Sequence, residues 1–243
     1  MLNSIRFGEG HKIVRLFTED LGKIEASAFG ARKIKSRFGS RLEPFTVALF
    51  LLYRGSGENP YSIKDVEVEA YNTSIRDDLN KYLVGNALIE PVVRFVEPAQ
   101  VDRELHNLLI DVFRILDKIS SKKSIFLLSM YEIRFLEIMG YKPDIHACVR
   151  CGRKIDESPH YCNHLYGFPL CSDCGGASAY EVFKVAERFI NWSLKSPFEN
   201  AERVSMNRST IHNLRHAIEA MFLSNFGKKL LSWGQLEVMF ELF

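Results

Sequence analysis

Most of this chain does without sulfur. Of its 243 residues only five are cysteine, and all five lie between positions 146 and 176. Long apolar runs are missing too. None approaches the ~20 residues that a helical membrane span requires, so no membrane role is expected. The opening MLNSIRFGEGHK lacks the apolar core of a secretory signal. A cytoplasmic address is the expectation, and there reduced thiols favour metal binding over disulfides. Nucleotide-driven chemistry has no evident home, since no Walker A sequence occurs. The H-x-E half of a zinc deaminase signature is absent as well. His212-Asn-Leu-Arg-His216 has zincin spacing but places Asn213 where the general-base glutamate belongs. Arg54-Gly-Ser-Gly57 is no nucleophile elbow, because the flanking glycines must stand two residues either side of the serine. With these absences the chain reads as a protein that is not an enzyme.

What remains is an ordinary globular composition, 47% hydrophobic and 26% charged. The net charge of +2 hides an asymmetry. Residues 1–42 hold nine basic against four acidic groups, and residues 43–119 hold eight against thirteen. A basic first module facing a polyanion, joined to a neutral or acidic body, accounts for that split.

The first seventy residues read as about five strands. A short one near Leu2–Phe7 is followed by KIVRLFT (12–18), with Val14 and Leu16 opposite Ile13, Arg15 and Phe17. After an Asp20-Leu21-Gly22 turn, KIEASAFG (23–30) sets Ile24, Ala26 and Ala28 against Lys23, Ser27 and Phe29. PFTVALFLLYRG (44–55) is longer and more apolar, GSGENP (55–60) is a turn, and SIKDVEVEAY (62–71) alternates Val66, Val68 and Ala70 with Asp65, Glu67 and Glu69. A small closed barrel suits five such strands, since closure buries one face of each and removes free edges. The three acids could hold Mg²⁺, but an outward solvated face explains them more simply.

The period then becomes helical. Ser74 to Asp77 fits a helix start, and Ile75, Leu79, Tyr82 and Leu83 continue it until Pro91, which should kink or end the helix. Leu105 to Leu116 and Phe126 to Ile138 mark two more helices, the second closed by Gly140. Tyr180–Leu194 and Thr210–Phe226 read as a further pair, the last carrying the apolar stripe Ile211, Leu214, Ile218, Met221 and Phe222. That stripe serves either core packing or partner docking. The resulting expectation is an α+β multidomain protein. A barrel over 1–72 precedes an all-α domain over 73–145 and 177–243, interrupted by a cysteine-rich insertion over 146–176.

Within the insertion Cys148 and Cys151 form one C-x2-C pair and Cys171 and Cys174 another, nineteen residues apart. Two thiolate pairs at this spacing suit one tetrahedral Zn²⁺. His146, His160, His164 and Cys162 are nearby alternates, but the matched pairs make the better set, and Cys162 reads as a small apolar strand residue. A four-cysteine site has no open coordination position, so the ion should be structural.

A second concentration of chemistry lies at residues 31–42, ARKIKSRFGSRL, where Arg32, Lys33, Lys35, Arg37 and Arg41 occur without one acid. Phe29 and Phe38 interleave these charges. Cations follow phosphates and aromatic faces stack on bases, which is the chemistry of single-stranded nucleic acid. Arg15, Phe17, Lys23 and Phe29 lie opposite the presumed barrel interior and could extend this surface. Asp65, Glu67 and Glu69 should repel phosphate.

The residues LFTEDLGKIEASAFGARKIKSRFGSRLEPFTVALFLLYRG, Ile-Arg-Asp-Asp at 75–78 and MGYKPDIHACVRCG at 139–152 resemble the RecO family of bacterial recombination mediators, over nearly the whole chain. The resemblance implies an OB-fold barrel, a helical domain and a zinc-finger insertion. It implies one structural Zn²⁺ on Cys148, Cys151, Cys171 and Cys174, and DNA contact through the region of Arg32, Lys33, Lys35, Arg37 and Arg41. It further implies binding of single- and double-stranded DNA, strand annealing, and work with RecR and the single-strand-binding protein to load RecA, in the cytoplasm at the nucleoid. A zinc-containing RNA binder or a zinc hydrolase are the alternatives that the residues alone leave open.

Overall fold

The computed structural model describes residues 1–56, 60–155, 159–176 and 179–240. Gly57, Glu58 and Asn59, within the expected GSGENP turn, lie outside the described residues; beside them Gly55 N–H donates to the Pro60 carbonyl at 2.6 Å. The chain divides into two compact units, residues 1–85 with 92–118, and residues 86–91 with 119–243.

The first unit opens with strands β1 (Asn3–Phe7), β2 (His11–Thr18), β3 (Gly22–Ala28), β4 (Val47–Arg54) and β5 (Tyr61–Ala70). They form one sheet in the order β1-β2-β3-β5-β4, with β3 and β5 parallel and the other pairs antiparallel. That is the order of a partly open OB-type barrel. Phe45 N–H donates to the Met1 carbonyl at 3.2 Å, which brings the start of β4 beside β1.

Val14, Leu16, Ile24, Ala26, Ala28, Ile63 and Val66 fill the interior, as alternation requires, except that Ile63 and Val66 are three residues apart. Two bulges in β5 explain this. Leu51 lies opposite Asp65 and Leu52 opposite Ile63, so Lys64 is the extra residue; Glu69 is the second, between Val68 and Ala70. Each bulge adds twist, which helps five short strands curl.

Phe38 and Leu42, from the connection between β3 and β4, complete the core, each 1% exposed. This corrects the sequence reading of Phe38 as a ring offered to solvent: the connection folds back over the barrel and the ring caps its interior. Phe17, expected on the outer face, is also buried, with its ring 5.8 Å from that of His106.

The chain continues with helices α1 (Thr73–Asp77), α2 (Leu79–Phe95), whose residues 86–91 count with the second unit, and α3 (Arg103–Lys118). The long helix starts at Asp78 rather than Ser74, because the Asp78 carboxylate accepts the Lys81 N–H at 3.0 Å while Ser74 belongs to the single turn α1. Pro91 neither ends nor breaks α2, which runs four residues past it. A mid-helix proline costs about 3 kcal/mol, and the burial of Leu88, Ile89 and Val92 around it offsets that at ~1.5–3 kcal/mol per side chain. Helix α3 buries Leu105, Leu109, Val112, Phe113 and Leu116, the stripe its sequence dictates.

The second unit is built on α4 (Ser124–Ile138), α6 (Lys184–Ser193), α7 (Arg208–Phe226) and α8 (Ser232–Phe240). Between α4 and α6 lie β6 (His160–Asn163), β7 (Gly167–Leu170), the short α5 (Ser172–Gly175) and β8 (Tyr180–Val182). Tyr141 N–H reaches back to the Leu136 carbonyl at 2.7 Å, so Gly140 does close α4. The helix expected over Tyr180–Leu194 is shorter. Its first three residues pair as β8 with His160, Tyr161 and Cys162 of β6, a partner eighteen or more residues away that no local period reveals.

Leu214, Ile218, Met221 and Phe222 of α7 are core. The side chain of Glu132 on α4 is fully buried, where both guanidinium arms of Arg215 and the Trp233 indole N–H, at 3.0 Å, donate to it. Arg215 also lies 4.8 Å over the Trp233 ring. One carboxylate therefore ties α4, α7 and α8 together. Removing it strands a buried cation, so Glu132→Ala should lower unfolding free energy by ~3–5 kcal/mol in denaturant titration. A loss within experimental error would show that the pair contributes nothing.

Candidate metal knuckle and nucleic-acid surface

The two cysteine pairs meet because each sits on a tight turn and the chain between them folds back as the β6–β7 hairpin. At the first knuckle Cys148 N–H donates to Arg153 O at 2.9 Å and Gly152 N–H to Cys148 O at 2.8 Å. At the second, Cys171 precedes α5, and its carbonyl accepts the N–H groups of Cys174 and Gly175 at 3.1 and 2.9 Å. The four Sγ atoms lie within 4.8 Å of one another, with Cys151 and Cys171 at 3.9 Å. Tetrahedral thiolate ligation at ~2.3 Å per bond sets sulfurs about 3.8 Å apart, so the group fits one ion.

Its electrostatics agree. Burial opposes charge on Cys148, yet N–H groups of Cys171, Cys151 and Arg150 aimed at its sulfur draw the thiol down to about 6. Cys174, sharing a proton with the Cys151 sulfur, is pushed up to about 12. Four sulfurs this close cannot all ionise without a cation among them. Cys162 stays outside the group, buried in β6 with its thiol raised to about 12 by burial. His160 is engaged elsewhere, 2.5 Å from Glu187 through Nδ1 and 2.6 Å from the Ile145 carbonyl through Nε2. His164 lies 3.9 Å from Glu219.

The hairpin packs closely on α7. Gly167 has φ +89°, which favours glycine, and a Cβ there would fall 2.4 Å from the Ser224 hydroxyl, which would have to turn away. An all-sulfur, closed donor set on a hairpin braced against a helix can hold a fold together but has no position for substrate.

The basic segment lies in the first unit, between β3 and β4. Its arginines are engaged with main chain. Arg32 donates to the Gly8 and Glu9 carbonyls at 3.3 Å, and Arg37 to the Ile63 carbonyl at 3.3 Å while lying 4.8 Å over the Phe38 ring. Arg41 donates to the Val66 and Arg37 carbonyls and reaches Asp65 at 3.5 Å. Lys33 and Lys35 are exposed and form no ion pair among the described residues.

The flanking strand cations are less available. Arg15 donates to Glu25 at 2.6 Å. The Lys23 ammonium, pushed below its ordinary pKa by burial, donates to the carbonyls of Val93 and Val92 at 2.7 and 3.3 Å. Phe29 remains 56% exposed. Sequence reasoning expected a strand near Leu2–Phe7 but did not join it to the basic surface; in the β1–β2 hairpin Arg6 and Phe7 are exposed and the turn is joined to the basic segment through Arg32. The available signal was Phe7 itself, a ring one residue short of a Gly-Glu-Gly turn.

Barrel, helical body and thiolate knuckle together define a mixed α+β protein with an exposed basic loop and four cysteines placed to hold one metal ion. Residues 1–71 match the family described as Recombination protein O N terminal, and residues 76–234 that described as Recombination protein O C terminal. The chain belongs to the RecO family of DNA repair proteins. It is 32% identical over 208 residues to the DNA repair protein RecO of Caldanaerobacter subterraneus subsp. tengcongensis, covering 85% of this chain and 82% of that one. Over 229 residues it is 28% identical to the RecO of Clostridium novyi, covering 94% and 88%. Among the described residues no helix is long and apolar enough to cross a membrane.

Cys171→Ser should abolish stoichiometric metal in elemental analysis and lower the melting temperature, with chelation of the unaltered protein doing the same. Full metal content in the variant would remove Cys171 from the ligand set.

Proposed function

We propose that the chain is a DNA-binding recombination mediator that works by neutralising charge, with no bond made or broken by its own residues. The observation that carries this reading is the pair of exposed lysines 33 and 35, which form no ion pair among the described residues, on a segment whose arginines are tied to main-chain oxygens. Lys33 and Lys35 thus present positive charge that no acid among the described residues cancels. Arg32, Arg37 and Arg41 hold the segment in shape and add to its field. Arg15, Lys23 and Phe29 flank it, and Phe38 supports it from beneath.

Two single strands repel each other. A cationic surface holding both lowers that repulsion and lets complementary bases pair, which is annealing, and double-stranded DNA meets the same charge. In this reading residues 1–72 are the DNA-binding barrel, residues 73–145 and 177–243 the helical domain, and residues 146–176 the zinc finger. Zinc is the metal, because soft thiolates in a closed tetrahedral set select it over hard cations. RecR and the single-strand-binding protein are the partners through which the chain reaches coated DNA and helps RecA to load, at the nucleoid. Membership of the family supports this part.

Each phosphate neutralised on a single strand contributes about 0.7 to the slope of log K against log salt. Replacing Lys33 and Lys35 by Glu should therefore weaken binding of labelled single-stranded DNA and flatten that slope by at least about 1.4. An unchanged slope in a variant with wild-type melting would take the segment out of the binding track.

A further inference from the structure

We propose that Phe7 and Phe29 form a nucleobase-stacking subsite, distinct from the phosphate-contacting lysines, that makes the barrel prefer single-stranded over duplex DNA. The inference rests on the reading above that the chain binds DNA, and it names which form of DNA this corner of the barrel selects.

Strand register brings the two rings to one side. Phe7 pairs with His11 across β1 and β2, and Lys12 pairs with Ala28 across β2 and β3. Lys12 and Ala28 share the inward parity of Val14. His11, Phe7 and Phe29, each one step from that row, therefore fall on the outer face. Their exposure follows: Phe7 is 49% and Phe29 56% exposed, whereas Phe17, Phe38 and Phe45 in the same unit are buried.

The corner is held by specific contacts. The His11 ring meets Phe29 edge-on at 5.3 Å, and His11 Nδ1 accepts the Gly30 N–H at 2.9 Å. Arg32 donates its backbone N–H to the Gly10 carbonyl at 3.1 Å and its guanidinium to the Gly8 and Glu9 carbonyls. The hairpin turn and the start of the basic segment are thus one platform. Arg32 and Lys33 adjoin it, the Lys33 side chain lying close to Gly10 and Gly30, and Glu9 is the acid on the turn itself.

Isolated exposed apolar side chains are common and need no function. Two aromatic faces on one braced corner, beside Arg32 and Lys33, are a different matter. A base offers its π-face to such rings only when it is unstacked from its neighbours. Duplex DNA keeps its bases stacked and paired, so it can use the cations but not the rings.

The test compares the full-length chain with Phe7→Ala, Phe29→Ala and the Lys33→Glu/Lys35→Glu pair. The probes are a fluorescent oligothymidylate, an abasic strand of equal length and a duplex of equal length. Each Phe→Ala change is expected to weaken oligothymidylate binding by at least about fivefold. It should leave the salt slope, and the affinity for the abasic strand and the duplex, unchanged. The lysine variant should weaken all three probes and flatten their slopes. Should Phe29→Ala melt early, Phe29→Leu keeps apolar bulk without a π-face and should show the same selective loss. Retained oligothymidylate affinity in both Phe variants, or an equal loss on the abasic strand, overturns the stacking subsite while the DNA-binding reading stands. A wild-type chain that ignores every probe in dilute salt overturns that reading as well.

Discussion

The donation of arginine N–H groups to main-chain carbonyls shapes the basic corner of the barrel. Arg32, Arg37 and Arg41 each bridge the long connection between β3 and β4 to a strand or turn it would otherwise only pass over. With Phe38 and Leu42 sunk into the barrel, the connection is pinned from inside by apolar burial and from outside by these bonds. A guanidinium bound to a carbonyl keeps its charge, since the acceptor is neutral. Apart from Arg41, which also meets Asp65, these arginines therefore order the segment without being neutralised. A set of Asp or Glu partners would have ordered it equally well and cancelled the field.

The knuckle solves a different problem with the same economy of means. An insertion this short cannot bury enough apolar surface to fold alone, and its own apolar cluster is little more than Ile155, Leu170 and the cysteines. Sulfur supplies the missing cohesion, provided a cation balances the thiolates. The remaining contacts face α7, where Gly167 permits close approach, and α6, where Glu187 meets His160. The knuckle is thus braced on the helical unit at two points besides its sulfur cluster.

Strand number, the cysteine pairs, the helical stripes of α3 and α7 and the basic segment were legible in the sequence, because each is written in local period or spacing. What was not legible depended on distant partners. Lys64 and Glu69 look like ordinary outward residues until the register against β4 shows them as bulges. Phe38 sits among charges in sequence, and only the return of its connection over the barrel makes it core. Tyr180 to Val182 has helical neighbours and a strand partner, and the partner decides. At Pro91 a correct local cost was outweighed by the burial around it. Phe7 was missed because a single ring in a short edge strand carries no period at all.

The bulges have a consequence for traffic around the barrel. By resetting parity in β5 they turn Asp65, Glu67 and Glu69 outward together, and Arg41 touches Asp65 where the cationic connection ends. The barrel is consequently polarised, with one flank hospitable to a polyanion and the adjoining one hostile to it. Under the DNA-binding reading proposed above, a nucleic acid lying on the first flank would be turned back at that boundary, and the second would stay uncovered while the strand is held.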